Sequence, residues 1–298
     1  MSLSSNTSGE FRPPSIDQFW QLYSFSESGL IEKGGHGSVF SGVRLADKTP
    51  VAVKVIHSGK VPHWDMVADR WLIPREVACL EKVANVEGVI RLLDWFCIGT
   101  GPEFVIVMER PNNAEDLLEF YNRRPGKFDE SLARNLFSQL VKAVQGCHQT
   151  GVLHCDIKEE DILINRETKS LKLIDFGLAD YLVPGKINNN FVGTTTCAPP
   201  EWFTTHQYDG VKAEIWAIGV LFFRLITGND HPFKSFEKVF SGELDLGNAQ
   251  LPPQFEDLIR KCLAPNPHDR ISLENMLCHP WANPSSEENT ESSNNQQN

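Results

Sequence analysis

Two acidic residues stand nineteen positions apart, each in a short loop beside an apolar run. The first is Asp156, in His154-Cys155-Asp156-Ile157-Lys158-Glu159-Glu160-Asp161, which Ile162-Leu163-Ile164 follows. The second is Asp175, in Leu171-Lys172-Leu173-Ile174-Asp175-Phe176-Gly177. Such a pair suits phosphoryl transfer. One carboxylate orients an attacking hydroxyl and accepts its proton, and the other holds Mg²⁺ against a triphosphate. Lys158 would then lie near the transferring group and offset the charge developing there. A lone Asp-Phe-Gly reads as a solvated turn; both loops together do not. Upstream, Ile31 to Val39 is glycine-rich. Glycines let a backbone approach phosphate oxygens and donate N–H groups to them. Alone, this stretch is equally a hairpin turn; its place before Val51-Ala52-Val53-Lys54 gives it weight.

These residues need elements to hold them. Val39–Val43 and Pro50–Ile56 have the β-branched content of strands, as do Val89–Phe96 and Phe104–Met108. Residues 74–84 carry Val77, Leu80, Val83 and Ala84 at helical spacing around Glu76. Pro111-Asn112-Asn113 is a breaker cluster that marks a hinge. Beyond it, Leu132, Leu136, Leu140 and Val144 predict a helix over 129–148, with Gly151 past its end. Residues 212–227 are apolar nearly all round, as in a buried helix. The expected fold is α+β and two-lobed: an antiparallel sheet with one main helix, a hinge, then a mainly helical lobe.

Composition sets limits. The chain has 298 residues and a net charge of −11, which argues against non-specific nucleic-acid binding and favours basic partners. The longest apolar run, Ile215–Phe223, is far short of the ~20 residues of a membrane span. The N-terminus lacks the apolar core of a signal peptide. Seven scattered cysteines with no Cys-x-x-Cys pair read as reduced thiols, so an intracellular setting, cytoplasmic or nuclear, is expected. Residues 1–23 are expected to be a flexible leader. The main domain runs over 24–283, with lobes at about 24–110 and 112–283, and 284–298 form a low-complexity tail.

The order of these motifs resembles the protein-kinase signature set, over about residues 24–283. The resemblance implies ATP and Mg²⁺ as cofactors and assigns roles by position. Asp156 and Lys158 are the catalytic pair, and Asp161 and Asp175 hold metal. Ile31, Gly34, Gly37, Val39, Ala52, Lys54, Glu76, Glu109, Asp116 and Leu163 form the ATP site. Lys54 contacts the α/β-phosphates and pairs with Glu76, while Val39, Ala52 and Leu163 sandwich the adenine. Lys158 marks the serine/threonine version of the loop. Gly193–Glu201 resembles the end of an activation segment, in which Thr194 shapes the acceptor site and Glu201 pairs with Arg270. Leu80, His154 and Phe176 would stack between the lobes.

Within that family the chain is similar to Pim kinases. Glu109-Arg110-Pro111 carries the likeness, because proline removes a hinge N–H. Gly88–Phe96, Gly151–His154 and Pro199–Trp202 add to it. The resemblance implies a monomer acting on protein substrates with Arg or Lys before the acceptor. Asp116, Glu119, Glu160 and Asp230, with Thr194, would form the substrate site, and Lys234 would weaken that preference. Nucleic-acid and membrane partners are not expected.

The sequence also departs from the pattern. Glu32 replaces the first loop glycine and His36 the loop-tip aromatic. Cys155 replaces an arginine that meets a phosphorylated activation loop, so activity independent of such a phosphate is expected. Asp161 replaces asparagine; metal binding should survive and loop order should suffer. Glu214 replaces aspartate, and its extra methylene is expected to offset a brace on the catalytic loop. The alternative these departures raise is a kinase-fold scaffold without catalysis.

Overall fold

The computed structural model describes residues 13–35, 37–68, 71–98, 103–124, 128–247 and 250–284. His36, the first twelve residues and 285–298 lie outside them.

Helix α1 (Ile16–Leu22) precedes the sheet. Its Phe19 is fully buried, with ring centroids 5.8 Å from Tyr23 and 5.5 Å from Phe96. The expected leader is therefore corrected over residues 16–23. Phe19 and Tyr23, with half-buried Ile16, seat the helix on the sheet face.

The sheet is built from β1 (Tyr23–Gly34), β2 (Gly37–Arg44) and β3 (Pro50–Ile56). A short antiparallel pair, β4 (Trp64–Val67) and β5 (Trp71–Pro74), leads into α2 (Arg75–Lys82). Strands β6 (Leu92–Ile98) and β7 (Glu103–Glu109) complete the antiparallel order β1-β2-β3-β7-β6. Val51 and Val53 pack with Phe19, Phe96, Val105 and Val107 on one face. Side chains alternate along a strand, so Ala52 and Lys54 belong to the opposite face. The residues Val89 and Ile90, expected within a strand, leave this sheet. Val89 bridges Leu173, and Ile90 N–H donates to Leu173 O at 2.9 Å, tying the first lobe to the second.

After the hinge come β8 (Ala114–Asp116), α3 (Leu117–Asn122) and α4 (Glu130–Gln149). Asp129 caps α4, its Oδ1 accepting from Leu132 N–H at 2.8 Å. Strand β9 (Val152–Leu153) leads to the catalytic-type loop, and β10 (Ile162–Asn165) and β11 (Leu171–Leu173) frame it in the order β11-β10-β8. Strand β12 (Asp180–Tyr181) pairs back onto β9. Helices α5 (Pro200–Thr205) and α6 (Gly210–Thr227) follow. Helix α6 is buried along most of its length, and Gly228 ends it at φ 76°, in the left-handed region that favours glycine. One continuous core runs from α2 and β7 through α4 to α6.

Candidate active site

Lys54 reaches its predicted partner Glu76 and, beyond the expectation, Asp175. Its Nζ lies 2.6 Å from Glu76 Oε1 and 2.8 Å from Asp175 Oδ1, with lysine and glutamate almost fully buried. Burial alone would lower the lysine pKa, but the two carboxylates override it and raise it well above the ordinary range. Burial would likewise raise Asp175, and Lys54 instead holds it well below the usual carboxylate range. Asp175 also accepts from Gly177 N–H at 3.1 Å.

Asp156 sits in a rigid cradle. His154 Nε2 lies 2.7 Å from the carbonyl of Ile174, which can only accept. The ring proton is therefore on Nε2, and Nδ1 accepts from Asp156 N–H at 3.3 Å. Asp156 Oδ1 accepts from Thr194 N–H at 2.7 Å, and Oδ2 from Lys158 Nζ at 2.5 Å. Lys158 also reaches Asp161 Oδ2 at 3.2 Å. Asp161 is buried, and that burial pushes its carboxyl up to about 8. Its backbone stays in register: its N–H donates to Lys158 O at 3.2 Å, and its carbonyl accepts from Ile174 N–H at 2.8 Å. No group of three or more candidate metal ligands occurs among the described residues. The two carboxylates Asp161 and Asp175 fit Mg²⁺, which takes few protein ligands and completes its shell with phosphate and water.

The brace behind this loop differs from expectation. Glu214 Oε1 accepts from both His154 N–H at 2.6 Å and Cys155 N–H at 2.9 Å, and Oε2 lies 2.5 Å from His148 Nε2. The extra methylene does not offset the contact. Residue 148 supplies a histidine that takes the second oxygen. Cys155 adopts φ 69°, and burial pushes its thiol well up, so it stays a neutral thiol.

In the glycine-rich hairpin, Gly34 faces Gly37 across the turn. A Cβ on Gly37 would meet Val55 O at 2.5 Å, so no larger residue fits there. Gly34 is exposed. Ile31 is exposed, and Val39, Ala52 and Leu163 are half-buried. Val39 stands opposite Lys54 in the strand register. Glu32 is exposed as a residue, yet lost hydration around its carboxyl and the charge of Asp175 raise its pKa. Glu109 commits its carboxylate to Lys172 Nζ at 2.7 Å and Arg91 N–H at 2.9 Å, and its own N–H donates to Arg91 O at 3.0 Å.

The four acidic candidates for substrate selection do not form one cluster of equal members. Asp116 caps α3, accepting from Glu119 N–H at 2.7 Å. Glu119, Glu160 and Asp230 are exposed. Glu159, which sequence reading passed over, is buried and pairs with Arg224 at 3.2 Å. Nothing in two consecutive glutamates tells which one turns inward. Lys234, expected to weaken the acidic field, is engaged by Asp245 at 2.9 Å. Elsewhere the expected contacts form. Arg270 holds Glu201 at 2.5 Å, and the His154 and Phe176 rings lie 4.8 Å apart.

The protein kinase domain pattern matches residues 25–282. Serine/threonine-protein kinase pim-2 of Danio rerio is 38% identical over 273 residues, covering 89% of this chain and 86% of the relative. Serine/threonine-protein kinase prk-2 of Caenorhabditis elegans is 41% identical over 255 residues, covering 84% of this chain and 56% of the relative. A PAS domain-containing serine/threonine-protein kinase of Mus musculus is 33% identical and covers 87% of this chain, but the match spans 18% of that relative. The two-lobed fold and these matches agree with the hinge proline and the paired loops, and the chain belongs to the protein kinase domain family, among its Pim-type serine/threonine kinases.

Proposed function

We propose that this protein kinase works through the residues gathered between its lobes, with ATP as donor and Ser or Thr hydroxyls of basic protein segments as acceptors. The observation that carries the reading is Lys54 bridging Glu76 and Asp175 while Asp156 and Lys158 face one another across the neighbouring loop. Asp156 accepts the proton of the acceptor hydroxyl, and Thr194 N–H holds its other oxygen in place. Lys158 balances charge on the transferring group, and Lys54 meets the α/β-phosphate oxygens. Asp161 and Asp175 would hold Mg²⁺, which supplies positive charge against the triphosphate when bound. Ile31, Gly34, Gly37, Val39, Ala52, Leu163, Asp116 and the Glu109 backbone would enclose the nucleotide. Since Pro111 has no N–H, one hinge hydrogen bond to adenine is missing.

Exposed Glu119, Glu160 and Asp230, with Asp116, would draw in cationic side chains upstream of the acceptor. The reading includes one domain over 24–283, a monomer, no nucleic-acid partner, and a cytoplasmic or nuclear setting. The seven unbridged cysteines support that setting. Among the described residues no helix is long and apolar enough to cross a membrane. The scaffold alternative has no observation in its favour, since the Glu214 brace and the Lys54 pairing are both made.

Purified protein with Mg²⁺, labelled ATP and an Arg-rich Ser peptide tests the reading beside Asp156→Ala. Transfer that disappears in the variant supports it, and equal transfer in both sinks it.

A further inference from the structure

Arg75 is the first residue of α2 and the neighbour of Glu76. Its guanidinium leaves the helix toward the second lobe. Nη1 lies 2.5 Å from Asp180 Oδ1, and Nε lies 3.1 Å from Asp65 Oδ1. Tyr181 closes the cluster: its hydroxyl donates to Asp65 Oδ2 at 2.5 Å, and its ring lies 5.2 Å from the guanidinium and 5.4 Å from Lys82 Nζ, also on α2. Lys186 takes the second oxygen of Asp180 at 2.7 Å. Side chains of Arg75, Asp65 and Asp180 are each about a fifth exposed or less, so the pairs are better shielded than surface ion pairs.

The backbone gives this cluster its leverage. Asp180 and Tyr181 pair with Leu153 and Val152, immediately before His154 and Asp156. Asp180 also lies five residues after Asp175. A closed circuit results: Lys54 to Glu76, one residue back to Arg75, across to Asp180, along the chain to Asp175, and back to Lys54. Cys155 places no cation beside this segment; the positive charge on Asp180 comes from Arg75 and Lys186 instead.

We infer that Arg75 is a positioning residue, bolting α2 to the segment after Asp175 through Asp180, so that Glu76 stays on Lys54 without any added phosphate. The inference rests on the proposed role of Lys54 and Glu76 in the nucleotide site. Without the bolt, α2 keeps its apolar contacts but gains freedom to swing Glu76 away, and a misplaced group near the reacting atoms lowers kcat steeply.

The test uses the full chain, pretreated with a phosphatase. Arg75→Met keeps the aliphatic stem, and Asp180→Asn keeps the shape of the carboxylate. Each is expected to lower kcat about tenfold with peptide KM changed less than about twofold, and the double variant to be no worse than the poorer single one. Arg75→Lys, which can hold one of the two carboxylates, is expected to recover part of the loss. Single variants with parental kcat, or losses that multiply in the double variant, overturn the inference. So does a parallel fall in melting temperature that accounts for the lost activity. Asp156→Ala is run alongside: if it retains transfer, the site reading itself has failed; if it is inactive while Arg75→Met is fully active, only the bolt has.

Discussion

Glu214 accepts the backbone N–H groups of both His154 and Cys155 with one carboxylate oxygen, at 2.6 and 2.9 Å. The other oxygen is held by His148 at 2.5 Å. A shorter acid would have to surrender one side of this arrangement. Glu214→Ala strands two buried N–H groups, each costing about 1–3 kcal/mol. Urea unfolding should show a loss of about 2–6 kcal/mol, and kcat should fall with it because Asp156 loses its anchored backbone. Glu214→Asp should lie between. Parental stability in Glu214→Ala would contradict the brace.

The same pair sets a pH dependence. Burial alone would lower His148, but the Glu214 carboxylate raises its pKa above the ordinary 6.5. Its contribution to stability is thus complete below 6.5 and is lost as pH rises through the raised folded value. Glu214, also buried, is lowered below its ordinary 4.5 by His148, so its contribution holds above 4.5 and is lost as pH falls through the lowered value. Between those two ordinary values the pair is fully made. On raising the pH from about 6 to about 8, the unfolding midpoint should fall for the parent and fall less for His148→Gln. An unchanged slope in the variant would remove His148 from the account.

Asp161→Asn should keep or raise activity. The buried carboxyl already lies beside Lys158, and an amide retains one metal-ligating oxygen while adding a donor. Steady-state kinetics at saturating Mg²⁺ would show the reverse through a loss of tenfold or more, about 1.4 kcal/mol of barrier.

Exposed Glu160 and Asp230 should govern KM rather than kcat. Glu160→Ala and Asp230→Ala are each expected to raise KM for an Arg-rich peptide about threefold to tenfold, and added salt should narrow the gap. Glu159→Ala should act differently. It strands Arg224 and should lower the melting temperature. Equal KM for basic and neutral peptides in the parent would end the electrostatic reading.

Phe19→Ala should cost about 3–5 kcal/mol, since the ring is fully buried against Tyr23 and Phe96. Chemical denaturation measures it directly. A change below about 1 kcal/mol would mean α1 is only loosely attached.

By itself the sequence determined which residues make up the candidate site: Lys54, Glu76, Asp156, Lys158, Asp161 and Asp175 are legible because motif order and short-range spacing place each on a strand end, helix or loop. It also determined the two-lobed plan, since periodicity reports which face of an element is apolar, and the hinge, since proline removes a donor wherever it stands. Tertiary structure decided what depends on reach and on partners far away in the chain. Residues 16–23 read as a leader although Ile16, Phe19, Trp20 and Tyr23 stand at helical spacing: two turns are too short to hold alone, and only the sheet face they meet makes Phe19 and Tyr23 core. Glu214 looked too long until His148 appeared at its second oxygen. Glu159 and Glu160 are indistinguishable as neighbours, and only the fold shows that Glu159 is the buried one, paired with Arg224. Arg75 and Asp180, 105 positions apart, carry no mark of their pairing. Local sequence specifies backbone direction and side-chain type; which charge meets which is settled only when packing brings distant elements within hydrogen-bond distance.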